Sequence, residues 1–213
     1  MKALFLAAAL AFGATVVTPA FAQPHAAVLD DAQMATLKRV EAYLNGLHAL
    51  KAKFLQIAQD GRTSSGTAWL VRPGKLRFAY DPPSPLLLVA SHGLVVFRDN
   101  ALDQTTNIPE GQTPLGLLLR DNVTLSGDVT VVGMETPPGQ IQMTLVKTAS
   151  PGDGSLTLVF NDNPLTLTGW TVIDAEGRET RIRLSDIQLG GHFDNSLFTF
   201  IDPHFFNPNG NTP

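Results

Sequence analysis

The chain has 213 residues, a formal net charge of -4 and 44% hydrophobic residues, an ordinary globular composition with enough apolar side chain for one sizeable core. Its 15 Lys and Arg are outnumbered by 19 Asp and Glu and never run together as a basic block, which excludes nucleic acid as the expected partner. Cysteine is absent, and with it go disulfides, thiolate metal sites, thiol catalysis and a lipid anchor on an N-terminal Cys.

The first 22 residues read as a secretory signal peptide: Lys2 is the positive n-region, Ala3 to Val17 the apolar stretch and Ala20-Phe21-Ala22 the small-x-small cleavage site. A membrane anchor fits less well, because no stop-transfer pattern follows and no later apolar run is long enough to span a bilayer. The expected product is an exported, soluble protein beginning near Gln23. Residues 23–206 are expected to form one domain, and the Pro-, Asn- and Gly-rich residues 207–213 a frayed tail.

From Asp30 to Leu50 the apolar positions Leu37, Val40, Leu44 and Leu47 recur three or four apart, and Asp30-Asp31 is placed to cap the start. This spacing predicts the one long helix. The pattern then changes to strands over 54–59, 66–72, 75–80, 85–90 and 94–98, separated by turn signals such as Asp60-Gly61, Pro73-Gly74 and His92-Gly93. Residues 107–112 read as a loose approach. TPLGLLLR, Thr113 to Arg120, then reads as a short helix with Thr113 as N-cap and Pro114 at its first position. Strand patterns resume over 128–134, 141–147, 155–161, 166–173 and 179–187. About ten or eleven antiparallel strands with two helices left over predict a strongly curved, incompletely closed barrel, mainly β, with the helices covering one face.

Catalytic motifs are missing: there is no G-x-S-x-G elbow, H-E-x-x-H helix, Walker loop or G-x-G-x-x-G. His25, His48, His92, His192 and His204 are scattered, with no two at metal-ligand spacing. The turn Ser91-His92-Gly93 would supply a hydrolase's serine and base, but turns carry polar residues for conformation and solvation alone. Neither an enzyme nor a cofactor or metal site is expected. Alternation through Gly66 to Pro85 places Leu70, Arg72, Gly74, Leu76 and Phe78 on one side, so one cation stands among apolar side chains. Arg72 either reaches the unsatisfied carbonyls at a helix C-terminus or snorkels to solvent from a strand end; the sequence leaves both open.

The run WLVRPGKLRFAYDPPSPLLLVASHGLVVFRD resembles the RPGKFRW-type core of the LolA family of periplasmic lipoprotein carriers. The order of elements is similar too: signal peptide, long helix, a KFLQ strand (Lys53, Phe54, Leu55, Gln56), the RPGK strand pair, a TPL-type short helix and a closing Phe198-Thr199-Phe200. The similarity spans roughly Leu29 to Phe200. Ser91-His92 replaces the Asp usual before the hairpin glycine, and the C-terminus lacks the extra strand and tail of well-known members.

The resemblance implies an unclosed barrel with a helical lid over an apolar cavity, and a non-enzymatic carrier of acylated lipoproteins in the periplasm of a Gram-negative bacterium. It places Arg72 as the residue that closes the lid, and Pro114, Leu115, Leu118 and Leu119 in the lid helix. The candidate cavity residues are Phe54, Trp69, Leu70, Leu76, Phe78, Leu86, Leu88 and Val96. Each alone fits ordinary core packing, so the reading rests on the set. The implied partners are an inner-membrane ABC exporter of the LolCDE type and an outer-membrane acceptor of the LolB type, with the carrier itself a monomer. A sensing module of the same fold, acting through a partner protein, is the main rival; a second domain would favour it, and none is expected before Pro213.

Overall fold

A capping box starts the first element. In the computed structural model, which describes residues 25–201, helix α1 spans Asp31–Gly46. The Asp30 carboxylate accepts from the Gln33 backbone N–H at 2.8 Å, and the Gln33 side chain accepts from the Asp30 N–H at 3.0 Å, which satisfies donors that a helix start leaves open. The helix stops at Gly46, short of the expected Leu50. Ala49 and Leu50 pair instead with Val71 and Leu70, so strand pairing overrides the helical spacing that continues through Leu47.

Eleven strands follow: β1 Ala49–Ala58, β2 Thr63–Val71, β3 Lys75–Tyr80, β4 Leu86–Ser91, β5 Leu94–Asp99, β6 Gln104–Pro109, β7 Val129–Glu135, β8 Gln140–Lys147, β9 Gly154–Asn161, β10 Thr166–Asp174 and β11 Glu179–Leu189. Ten match the expected runs to within a few residues, the largest shift being the earlier start of β1. β6 overlaps the stretch expected to be loose. Its sequence, QTTNIP, lies mostly exposed at a sheet edge, so the apolar alternation that marks a half-buried strand is weak there.

All eleven strands form one antiparallel sheet in the order β6-β5-β4-β3-β2-β1-β11-β10-β9-β8-β7. β6 and β7 follow each other in the chain yet are the two free edges, so the barrel is unclosed. The sheet is strongly curved. β3 and β10 are separated by β2, β1 and β11, about 19 Å across a flat sheet at roughly 4.8 Å per strand, yet the Phe78 and Trp170 rings meet at 6.0 Å.

The connection from β6 to β7 must therefore cross the open side. It does so through a 3-10 turn at Glu110–Gln112 and helix α2, Gly116–Leu119. This is a single turn, shorter than the expected helix over Thr113 to Arg120. The expected cap, Thr113, accepts from the Gly116 N–H through its hydroxyl at 3.1 Å, but the N-cap position of α2 is Leu115. Helix α1 lies beneath the connection and anchors it: Asn45 exchanges hydrogen bonds of 2.9 and 2.8 Å with the Val123 backbone, and Glu41 accepts from Leu125 N–H at 2.8 Å. Tyr43 fixes α1 to the sheet, edge-on to Phe160 at 5.8 Å, with its hydroxyl accepting from Leu167 N–H at 3.1 Å.

The outer face is also partly covered. A 3-10 turn at Asn195–Phe198 packs on β3 and β4, burying Phe198, while Arg77 donates to the Leu197 carbonyl at 3.0 Å. The expected signal peptide and polar tail lie outside the described residues.

Candidate functional site

The two ends of the inner face differ. By register Leu50, Leu70, Leu76, Ala90 and Val95 form one row across β1 to β5. Leu50, Leu70 and Leu76 belong to one buried core with Leu118 and Leu119 of α2 and Leu44 of α1. Helices thus close this end.

Arg72 locks it. Its inward position follows from alternation with Leu70, and only 9% of the residue is exposed. Nε donates to the Arg120 carbonyl at 2.7 Å and Nη2 to Asp121 O at 3.3 Å, just past the end of α2; Nη1 donates to the Leu44 carbonyl and, at 3.4 Å, to Leu47 O at the end of α1. One guanidinium fork therefore serves carbonyls at two helix C-termini, which a snorkelling side chain would not. Burial pushes its pKa down, partly countered by Asp121. A backbone bond adjoins it, from Gly74 N–H to the Leu119 carbonyl at 2.8 Å. Gly74 has φ +74, a turn conformation that glycine adopts without steric cost.

Toward the other end the inner face opens into a cavity of about 740 Å³, within the usual range of roughly 300–1,000 Å³ for ligand sites. Its apolar wall comes from both halves of the sheet: Phe78, Leu88, Val95, Phe97 and Ile108 on one side, Trp170, Val172 and Ile182 on the other, with Pro114 and Leu115 of the crossing segment at its margin. Polar side chains line it too, among them Gln56, Gln59, Thr113, Glu179 and Thr180. Tyr80 donates to Gln56 Oε1 at 2.7 Å, and burial pushes its hydroxyl pKa up to about 12. Asp60, Arg62, Asp174 and Arg178 stand at the rim, on the β1–β2 and β10–β11 turns.

Of the candidate residues, Phe78, Leu88, Pro114 and Leu115 line this cavity. Phe54 stands behind the wall, its ring 4.6 Å from Phe78 and 5.1 Å from Tyr80. Leu70, Leu76, Leu118 and Leu119 belong to the closed end, and Leu86 shares the side of Leu88 without lining the cavity. Trp69 and Val96 face outward. Trp69 stands opposite Arg77 in the row flanking inward Leu70, and Val96 opposite Val89 between inward Val95 and Phe97. Alternation was obscured there because β4 and β5 are apolar at nearly every position and the outer face carries its own buried residues, Val89 and Phe198. Period two, once its phase is known, reaches the missed residues: from Phe78 to Tyr80, from Leu88 across to Phe97, and along β10 through Trp170 and Val172. The Ser91 hydroxyl and His92 Nδ1 do meet, at 2.8 Å, but in a turn away from the cavity lining.

The model of the family described as outer membrane lipoprotein carrier protein LolA matches residues 45–201. A protein named outer-membrane lipoprotein carrier protein from Methylococcus capsulatus is 32% identical over 174 residues, covering 78% of this chain and 83% of that one. Another of the same name, from Chromohalobacter salexigens, is 30% identical over 207 residues, 92% of each chain. Among solved structures, a LolA superfamily protein from Nitrosomonas europaea aligns with a TM-score of 0.43 at 12% identity, over 77% of this chain and 97% of that one.

Proposed function

Because this chain belongs to the LolA family of outer membrane lipoprotein carriers, it is a lipoprotein carrier, and we propose that the cavity between the two halves of its sheet holds the acyl chains of the cargo. The observation that carries the assignment of the site is an open, apolar inner face beside a closed one, with Arg72 fastening the segment between them. An acyl chain in water costs about 0.8 kcal/mol per methylene, so crossing an aqueous compartment demands burial of this kind.

Release must be possible too. The Arg72-held segment is a two-state element, fastened when the cavity is empty and displaced when lipid enters, and a difference of a few kcal/mol between the states suffices. The pathway runs from an ABC exporter in the inner membrane to an acceptor in the outer membrane, through the periplasm, after removal of residues 1–22. The family membership supports this placement, and among the described residues no helix is long and apolar enough to cross a membrane.

The test is a release assay in which the purified protein is added to inner-membrane vesicles carrying newly made lipoprotein and the exporter. Wild type should bring lipoprotein into the soluble fraction, and Leu88→Trp, which narrows the cavity, should bring markedly less. Equal release by both would place the cargo elsewhere.

A further inference from the structure

The cavity wall changes character from its interior to its mouth. Across β1, β11 and β10, Gln56, Ile182 and Trp170 share one level, and Ala58, Thr180 and Val172 the next. Beyond these come the turn residues, paired as Arg62 with Asp60 at 2.6 Å and Arg178 with Asp174 at 2.7 Å. Gln56 therefore stands between the apolar interior and the charged rim.

Its partner is held in place. Tyr80 pairs across the sheet with Gly66, which pairs in turn with Phe54. A Cβ on Gly66 would come within 2.7 Å of the Phe54 ring, so the glycine leaves the gap over which the Phe54 and Tyr80 rings meet. That contact aims the hydroxyl at Gln56. With Tyr80 donating to Oε1, Gln56 Nε2 makes no hydrogen bond to any described residue. Turning the amide over would free the Tyr80 hydroxyl to donate instead, so the pair holds a spare donor in either orientation. The raised pKa of Tyr80 keeps that hydroxyl protonated at any physiological pH.

An acyl chain brings the complementary group. Each ends in an ester or amide carbonyl, an acceptor that loses its water when the chain is buried and then needs a donor. With tails in the apolar interior and the cargo polypeptide leaving over the charged rim, those carbonyls fall at the level between.

We propose that Gln56 and Tyr80 read the acyl linkage, hydrogen-bonding an ester or amide carbonyl at the head of the bound chains so that the cavity prefers acyl groups to bare hydrocarbon. This rests on the carrier reading of the cavity and adds a specificity device to it.

The test compares two probes on the full chain by calorimetric titration: a dialkanoyl-S-glyceryl-cysteinyl peptide, with two ester carbonyls, and its dialkyl ether counterpart of equal chain length. Wild type should bind the ester about fivefold to tenfold more tightly, the effect of one hydrogen bond. Tyr80→Phe and Gln56→Met should each bring that ratio close to one, whatever they do to the affinity for the ether. Equal binding of both probes by wild type, or an undiminished ratio in both variants, would overturn the polar pair and leave the carrier reading standing. Failure of wild type to bind either probe would remove both.

Discussion

At the scale of single residues, Arg72 and Gly66 set the terms. Arg72 serves carbonyls from both helices, so Arg72→Leu should leave the sheet folded, cost about 2–3 kcal/mol through hydrogen bonds to a charged group, and raise amide exchange in residues 116–125 above that of β8 and β9. Exchange in that segment no faster than in wild type would mean that Arg72 is not what holds it. Arg72→Lys should recover little, since one ammonium cannot reproduce the planar fork across two helix ends. Gly66 acts through space it leaves empty: a Cβ there would lie 2.2 Å from the Ala79 carbonyl and 2.7 Å from the Phe54 ring. Gly66→Ala should destabilise by about 1–3 kcal/mol, read as a lower urea midpoint with an unchanged slope. The sequence exposed Arg72 as a cation on an apolar face, but not which carbonyls it meets. The role of Gly66 was hidden, because a glycine required by a neighbour's ring looks in sequence like any other strand glycine.

At the scale of elements, the crossing segment between β6 and β7 carries a carboxylate whose burial ties its stability to pH. Glu110 is half-buried there, and the Glu110 carbonyl lies so close to Gly116 that a Cβ on the latter would come within 2.3 Å of it. Burial pushes the Glu110 carboxyl above its ordinary value, with Arg120 acting in the opposite direction. A raised folded pKa means that the folded state holds the proton longer, so stability from this group is complete below the ordinary carboxylate range and is lost as pH rises through the folded value. Glu110→Gln should remove that dependence: its stability relative to wild type should grow with pH across this window and then level off, as followed by urea unfolding at a series of pH values. A pH-independent difference would show that Glu110 is solvated alike in both states. The elements themselves were largely legible, because turn dipeptides and apolar runs mark ten of the strands. β6 was not, since a polar edge strand has little apolar contrast, and α1 ended early because β1 pairing competes with helical periodicity at Ala49 and Leu50.

At the scale of the whole molecule, one sheet does two jobs because its inner face is filled at one end and open at the other. Topology imposes this: with β6 and β7 as opposite edges, the chain between them has to cross the opening, and what it carries across closes one end. The sequence showed the apolar inventory for a core and a cavity together, but not the division between them. Leu76 and Phe78 are the same kind of residue two positions apart and both belong to the buried core, yet only Phe78 also lines the cavity. The central claim is that this open end holds the acyl chains of lipoproteins, and its most direct test is to express the protein in a bacterial periplasm, purify it without detergent and analyse it by native mass spectrometry beside Leu88→Trp. Wild type should carry intact acylated lipoprotein, and the variant, equally folded by circular dichroism, should carry markedly less. Lipoprotein bound equally by both, or free lipid alone in wild type, would contradict the account.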